Sequence, residues 1–275
     1  MTQFIAEAGA TPLPPFLGIN FSPLTRRAIV AQVLAGTGPD APCRLVVTAN
    51  MDHIVRLSVD QAFHDAYDAA WIATADGAPV AWACRLAGVP VPGRVTGADL
   101  FSDVMRGLDP ARHRPVFVVA NRAVAEPLAG RLRAMGMGKD GYRIEVPPMG
   151  FERDPEAGAR IVAAVRAIAT THLFMGIGAP RSEIFVAANR DRLRGVTAMC
   201  VGAGIAYHLG VKRRAPALLQ RLGLEWSWRL LSEPRRLARR YLVDSQAFAG
   251  ILARELLRRR SAAQELALAP PSSPA

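Results

Sequence analysis

Apolar residues along this chain fall into two rhythms. Short runs at 44–48 (RLVVT), 71–73, 115–120 (PVFVVA), 143–146, 172–175 (HLFM) and 197–201 are mostly continuous and lack the alternation of a half-exposed strand. They predict strands buried on both faces, as in a parallel sheet. Between them, apolar positions recur every three or four residues at 23–34, 59–70, 80–87, 98–107, 123–135, 155–169 and 181–192, which predicts helices. Strand and helix alternating in this way argue a doubly wound, mostly parallel, Rossmann-like α/β sheet, whose ligands bind beyond the carboxyl ends of the strands.

After residue 210 the pattern changes. Leu219, Leu222, Trp226 and Leu230 share one helical face, and Arg221, Glu225 and Arg229 form a charged row on another. A helix ends near Glu233, and Pro234 suits the first turn of the next, where Leu237, Tyr241, Phe248, Leu252 and Leu256 continue an apolar stripe. The expected organisation is an N-terminal extension over 1–16, an α/β core over 17–210, a basic helical appendage over 211–260, and a disordered tail rich in Ala, Pro and Ser over 261–275.

Charge sharpens the picture of the appendage. The 275-residue chain carries a formal +11, and +8 of it lies between Gly210 and the end. Arginines interleaved with Trp226, Trp228 and Tyr241 suit an anionic membrane surface, and a solvated helical face is the plainer reading of a basic helix taken alone. No stretch gives a clean transmembrane span: the longest uncharged one, 195–211, contains several glycines and a histidine. The N-terminus lacks the basic start of a secretory signal. A cytoplasmic protein, peripheral on the inner face of the membrane through Lys212–Arg260, is therefore expected. Cys43, Cys84 and Cys200 form no close pair and read as buried thiols in a reducing compartment.

The candidate chemistry sits where strands end. Asp76 follows the second strand and precedes Gly77. It is a carboxylate able to reach into a cleft as a general base, and Asp-Gly is equally an ordinary turn dipeptide. Thr48 and Asn50 follow the first strand, where a hydroxyl and an amide can hold a ligand or cap a helix. Gly176 and Gly178 follow the fifth, with Pro180 opening a helix whose amides can face phosphate. There is no Asp-x-Asp triplet, and His64, Asp65 and Asp68 read as a solvated helix face, so no metal or other cofactor is expected.

Several strings occur together in one order. TANMDH at 48–53, ATADGAPVAWACRLAG at 73–88, RVTGADLF at 94–101, MGIGAPRSE at 175–183, RAP at 214–216, QRLGLEW at 220–226, RLLSEPRRL at 229–237 and RRYL at 239–242 resemble, over residues 17–245, the WecG/TagA/CpsF glycosyltransferases. The resemblance implies transfer of a hexose or N-acetylhexosamine-type sugar from a UDP-sugar donor to a polyprenyl-diphosphate-linked sugar, with inversion, at the cytoplasmic membrane face. It implies Asp76 as the base, Thr48 and Asn50 as groups that hold sugar hydroxyls or orient it, and Arg94 as a phosphate ligand. Arg214, Arg229 and Arg236 would then close over the diphosphate from the appendage, which makes transfer metal-independent.

Gly176, Gly178, Pro180, Glu183, Gly202 and Gly204 fall to the nucleotide on this reading. Two departures stand out: Ser182 where the family has glutamine, and Ala206 where it commonly has aspartate. Both bear on the donor sugar. His208 reads as a packing or hydrogen-bonding residue. A nucleotide-binding oxidoreductase is the next reading, disfavoured because the glycine pattern lacks an acidic ribose partner. A basic nucleic-acid-binding protein comes third, with no recognition module to support it, so nucleic acid is not an expected partner. A homo-oligomer is compatible with all of this.

Overall fold

A computed structural model describes residues 14–221, 224–232 and 234–268, with the side chains at 217, 221, 229, 232, 234–243, 262, 263 and 265–268 outside that description. Six parallel strands form one sheet: β1 (Arg44–Ala49), β2 (Ile72–Ala75), β3 (Pro115–Val119), β4 (Arg143–Glu145), β5 (His172–Gly176) and β6 (Thr197–Cys200), in the order β2-β1-β6-β5-β3-β4. The expected strands are all present. The connections after β1 and β3 leave for opposite edges, toward β2 and β4, which opens a crevice between them at the carboxyl ends.

Helices cover both faces, which is why the strand residues are apolar without alternation. On one face Leu45, Val47, Val116, Val118, Leu173, Met175 and Ala198 pack against α2 (Met51–Leu57), α3 (Gln61–Asp68), α4 (Ala78–Leu86), α7 (Pro155–Ala167) and α8 (Arg181–Ala188). On the other, Val46, Phe117, Phe174 and Met199 meet α1 (Arg26–Ala35), α5 (Gly97–Gly107), α6 (Arg122–Ala134) and α9 (Gly204–His208). Phe117 stacks on Phe174 at 5.0 Å between ring centroids, and Phe101 of α5 meets both rings edge-on. Truncating such a ring to Ala costs about 3–5 kcal/mol.

Local capping sets the helix starts. Thr25, Asn50, Asp60, Thr96 and Asn121 each accept a hydrogen bond from the backbone amide three residues on, and Asp154 does so for α7. Each such cap is worth about 1 kcal/mol. The cap at Asn50 starts a helix that the hydrophobic rhythm did not predict, because α2 is only 7 residues long.

The C-terminal region differs from expectation in three ways. The stripe from Leu219 to Leu230 is not one helix: α10 (Ala217–Arg221) and α11 (Glu225–Ser232) are separate. α12 (Pro234–Leu268) continues through 261–268, where a disordered tail was expected, and 269–275 lie outside the described residues. Its later half is also not a detached appendage. Phe248 is buried in the main core with Ile251 and Leu252 against it, and the Arg259 guanidinium sits 4.9 Å over the Phe16 ring. Phe16 itself is only 1% exposed, so the core begins inside the expected N-terminal extension.

The three cysteines are free and buried, as expected. Burial pushes the Cys43 and Cys84 thiols up to about 12, which leaves them protonated and unreactive at neutral pH. His208 bonds Ser102 Oγ at 3.0 Å and packs edge-on against Phe101, a structural role. No helix among the described residues is long and apolar enough to cross a membrane.

Candidate functional site

The carboxyl ends of β1, β2, β3, β5 and β6 open onto a cleft of about 440 Å³. That volume falls in the range of small-molecule sites. Thr48, Asn50, Asp76, Gly176, Gly178, Glu183, Gly202 and Gly204 all line it, so the structure gathers eight of the thirteen expected site residues from four strand ends.

Asp76 is held from two sides. Its backbone amide donates to the Ala49 carbonyl at 2.8 Å, continuing the β1–β2 ladder one step past the strand. Its Oδ2 accepts from the Gly97 amide at 3.2 Å, the first residue of α5, so the positive end of that helix faces the carboxylate. Gly77, at φ 103°, takes the left-handed turn that swings the chain from β2 into α4 and leaves the Asp76 side chain at the cleft floor. The turn reading and the catalytic reading of Asp-Gly are thus compatible.

Thr48 is buried under Gly97: a Cβ at that glycine would stand 3.0 Å from Thr48 Oγ1. Asn50 spends its Oδ1 on the cap of α2, accepting from the His53 amide at 3.2 Å. Its side-chain amide is left as the group to meet a ligand. Gly204 approaches α5 so closely that a Cβ would lie 3.1 Å from Ala98 Cα, which joins the β6 loop to the helix behind Asp76.

Glu183, in the first turn of α8, is 2% exposed and its Oε2 finds no hydrogen-bond partner among the described residues. Burial raises its pKa to about 7, with its own backbone amide and the Arg56 charge pulling the other way. Beside it the Tyr67 hydroxyl and His53 Nδ1 share a 2.7 Å hydrogen bond. Burial first, and then the Glu183 charge, hold the Tyr67 pKa well above its ordinary value. Ser182 is fully buried and donates to the Gly178 carbonyl at 3.2 Å; it stiffens the loop and does not line the cleft. Ala206 does line it, presenting a methyl where the resemblance implies a carboxylate.

The arginines depart most from expectation. Arg94 is not on the cleft wall: its Nη1 meets Glu225 Oε2 at 3.2 Å, and its other surroundings are a neighbouring groove. Arg214 bonds Asp99 Oδ1 at 2.5 Å, Glu225 Oε1 at 3.4 Å and Thr96 Oγ1 at 3.3 Å. Burial opposes charge on Asp99, yet the Arg214 guanidinium, with Thr96 and Arg26, holds its pKa below the ordinary carboxylate value. Both arginines are therefore engaged by carboxylates in this structure. The side chains of Arg229 and Arg236, on α11 and α12, lie outside the described residues. Pro180 N-caps α8 without lining the cleft.

Sequence reasoning did not name Asp52, His53, Thr96, Asn121, Arg181, Lys212 or Glu225 as site residues, and they also line the cleft. Asn121 follows β3 just as Asn50 follows β1, and the strand-end rule applied there would have found it. Glu225 carried no such signal. Among the described residues the one group close enough to share a metal ion is His64, Asp65 and Asp68, on α3 and off the cleft.

The sequence model of the glycosyl transferase WecG/TagA/CpsF family matches residues 14–262. The chain is similar to the N-acetylglucosaminyldiphosphoundecaprenol N-acetyl-beta-D-mannosaminyltransferases of Staphylococcus aureus strains MW2 and NCTC 8325 / PS 47. Each is 23% identical over 242 residues, covering 86% of this chain and 91% of the relative.

Proposed function

This chain belongs to the WecG/TagA/CpsF family of glycosyltransferases, and from that premise we propose that it moves a hexose or N-acetylhexosamine-type sugar from a UDP-sugar to a polyprenyl-diphosphate-linked sugar, with inversion. The relatives are named for an N-acetylglucosaminyldiphosphoundecaprenol acceptor, and this chain takes an acceptor of that class. Its place is the inner face of the cytoplasmic membrane, in the assembly of a cell-surface glycan or exopolysaccharide. Family membership sets aside the oxidoreductase and nucleic-acid readings.

The observation that carries the mechanism is Asp76 at the cleft floor, fixed by the Gly97 amide with glycine loops opposite. Asp76 takes the proton from the acceptor hydroxyl as that oxygen attacks the anomeric carbon. The bond to the nucleoside diphosphate breaks on the opposite face, and UDP leaves with the electron pair. The departing charge faces the backbone around Gly176–Gly178 and Gly202–Gly204, with Arg181 and Lys212 on the same wall. Arg214 joins it only by exchanging Asp99 and Glu225 for phosphate oxygens.

The test is transfer from a panel of UDP-sugars to N-acetylglucosaminyl-diphosphoundecaprenol, run with excess EDTA. One donor should give product, and chelation should leave the rate unchanged. No product from any donor would defeat the reading. A rate lost to EDTA and restored by magnesium or manganese would defeat its metal-independent form.

A further inference from the structure

Next to the cleft, and separate from it, lies a second cavity of about 610 Å³ between α4 and the loop that follows it. Its walls are Ala78, Ala81, Trp82, Val89, Val91 and Pro92, and its cations are Arg85 and Arg94. Ala78 stands two positions after Asp76, so the groove starts at the catalytic strand end and runs outward along the helix. One ion pair spans the two cavities: Arg94 lines the groove, Glu225 lines the cleft, and they meet at 3.2 Å.

The exposure here is unusual. Trp82 is 63% exposed and Leu86, on the same helix, is 71% exposed. Large apolar side chains gathered beside a basic rim mark a surface that is covered by a ligand in use. Arg85 is exposed and makes no ion pair among the described residues.

Given the transfer reading above, on which this rests, we propose that the α4 groove seats the diphosphate and the first isoprene units of the acceptor lipid, Arg85 and Arg94 meeting the phosphates and Trp82, Val89 and Val91 the hydrocarbon. The sugar hydroxyl lies at Asp76, the diphosphate between Arg94 and Arg85, and the apolar chain against Trp82, Val89 and Val91. Guanidinium groups pair with phosphate oxygens, and an indole face covers an isoprene unit without needing to lose a hydrogen bond. Displacing Glu225 from Arg94 frees that guanidinium for the acceptor phosphate where groove and cleft meet.

The test is calorimetric titration of the full-length protein with farnesyl diphosphate, a short isoprenyl diphosphate, beside inorganic pyrophosphate and farnesol. Farnesyl diphosphate should bind more tightly than either fragment. Trp82→Ala should weaken it by about tenfold, the scale of one lost large apolar contact. Arg85→Ala should weaken it severalfold, and UDP binding should not change in either variant. Trp82 is mostly exposed, so its truncation leaves the fold intact.

Pyrophosphate binding as tightly as farnesyl diphosphate would reduce the groove to a cation patch and overturn the proposal. So would variants that keep farnesyl diphosphate affinity within twofold while losing sedimentation with vesicles, which would make this face a bilayer contact. The same holds if affinity is kept while a dimer dissociates, since a second copy would then be the occupant. Failure of every UDP-sugar donor alongside Trp82-dependent farnesyl diphosphate binding would defeat the transfer reading and leave the groove standing.

Discussion

Arg94 Nη1 lies 3.2 Å from Glu225 Oε2 across 131 positions of sequence, and the other oxygen of the same carboxylate faces Arg214. One acidic side chain at the start of α11 thereby ties the C-terminal helices to the loop before α5. Both side chains are more than three-quarters buried, which protects the pair from solvent screening.

This pair should show measurable coupling. Glu225→Ala leaves two partly buried guanidinium groups short of a partner and should cost on the order of 2 kcal/mol in urea unfolding. Arg94→Ala should cost less in that background than in the wild type, with a coupling energy of about 1 kcal/mol. Strict additivity of the two substitutions would show that the contact contributes nothing.

Asp76→Asn keeps the shape of the side chain and its bond from the Gly97 amide, and removes the proton acceptor. Turnover should fall about a hundred- to ten-thousand-fold while UDP binding holds. A variant retaining more than about a tenth of the wild-type rate would assign the base elsewhere.

Glu183 should make stability depend on pH. Its folded pKa, raised by burial to about 7 from 4.5, means the folded state holds a proton that the unfolded chain releases between those values. Stability contributed by the neutral carboxyl is therefore fully present below about 4.5 and declines as pH rises toward 7, by on the order of 3 kcal/mol. Unfolding free energies of wild type and Glu183→Gln measured across pH 4.5–8 should diverge, with the variant flatter. Parallel curves would place the ionisation elsewhere.

Docking on an anionic bilayer should depend on the exposed apolar side chains of the basic segment. Leu218, Trp226 and Leu231 are 67%, 43% and 79% exposed. Leu231→Glu should reduce co-sedimentation with anionic vesicles severalfold, and added salt should weaken the wild type as well. Removing everything after Gly210 is not an equivalent experiment, because it would strip Phe248 from the core and expose Phe16 and Ile54.

Much of this molecule was written locally. Strand runs such as PVFVV and HLFMG are largely apolar because both sheet faces are covered, and that marked the central strands; the edge strand β4, Arg-Ile-Glu, is only half-buried. Strand-end positions were legible for the same reason: once a run is a parallel strand, the residue after it belongs to the ligand edge. Thr48, Asn50, Asp76 and Gly176 followed from that, and the ordered motifs added Gly202 and placed the chain in a family.

Tertiary structure decided the partners of the charges. Coulomb attraction between guanidinium and carboxylate depends on distance in space, and sequence separation does not report it. Arg94 and Arg214 read from sequence as phosphate ligands, and only the fold shows that Glu225 and Asp99 hold them. The same holds for Phe248, whose periodicity marked an apolar face but not the core that face would join. Helical rhythm states that a side must be covered, and only the packed chain supplies what covers it.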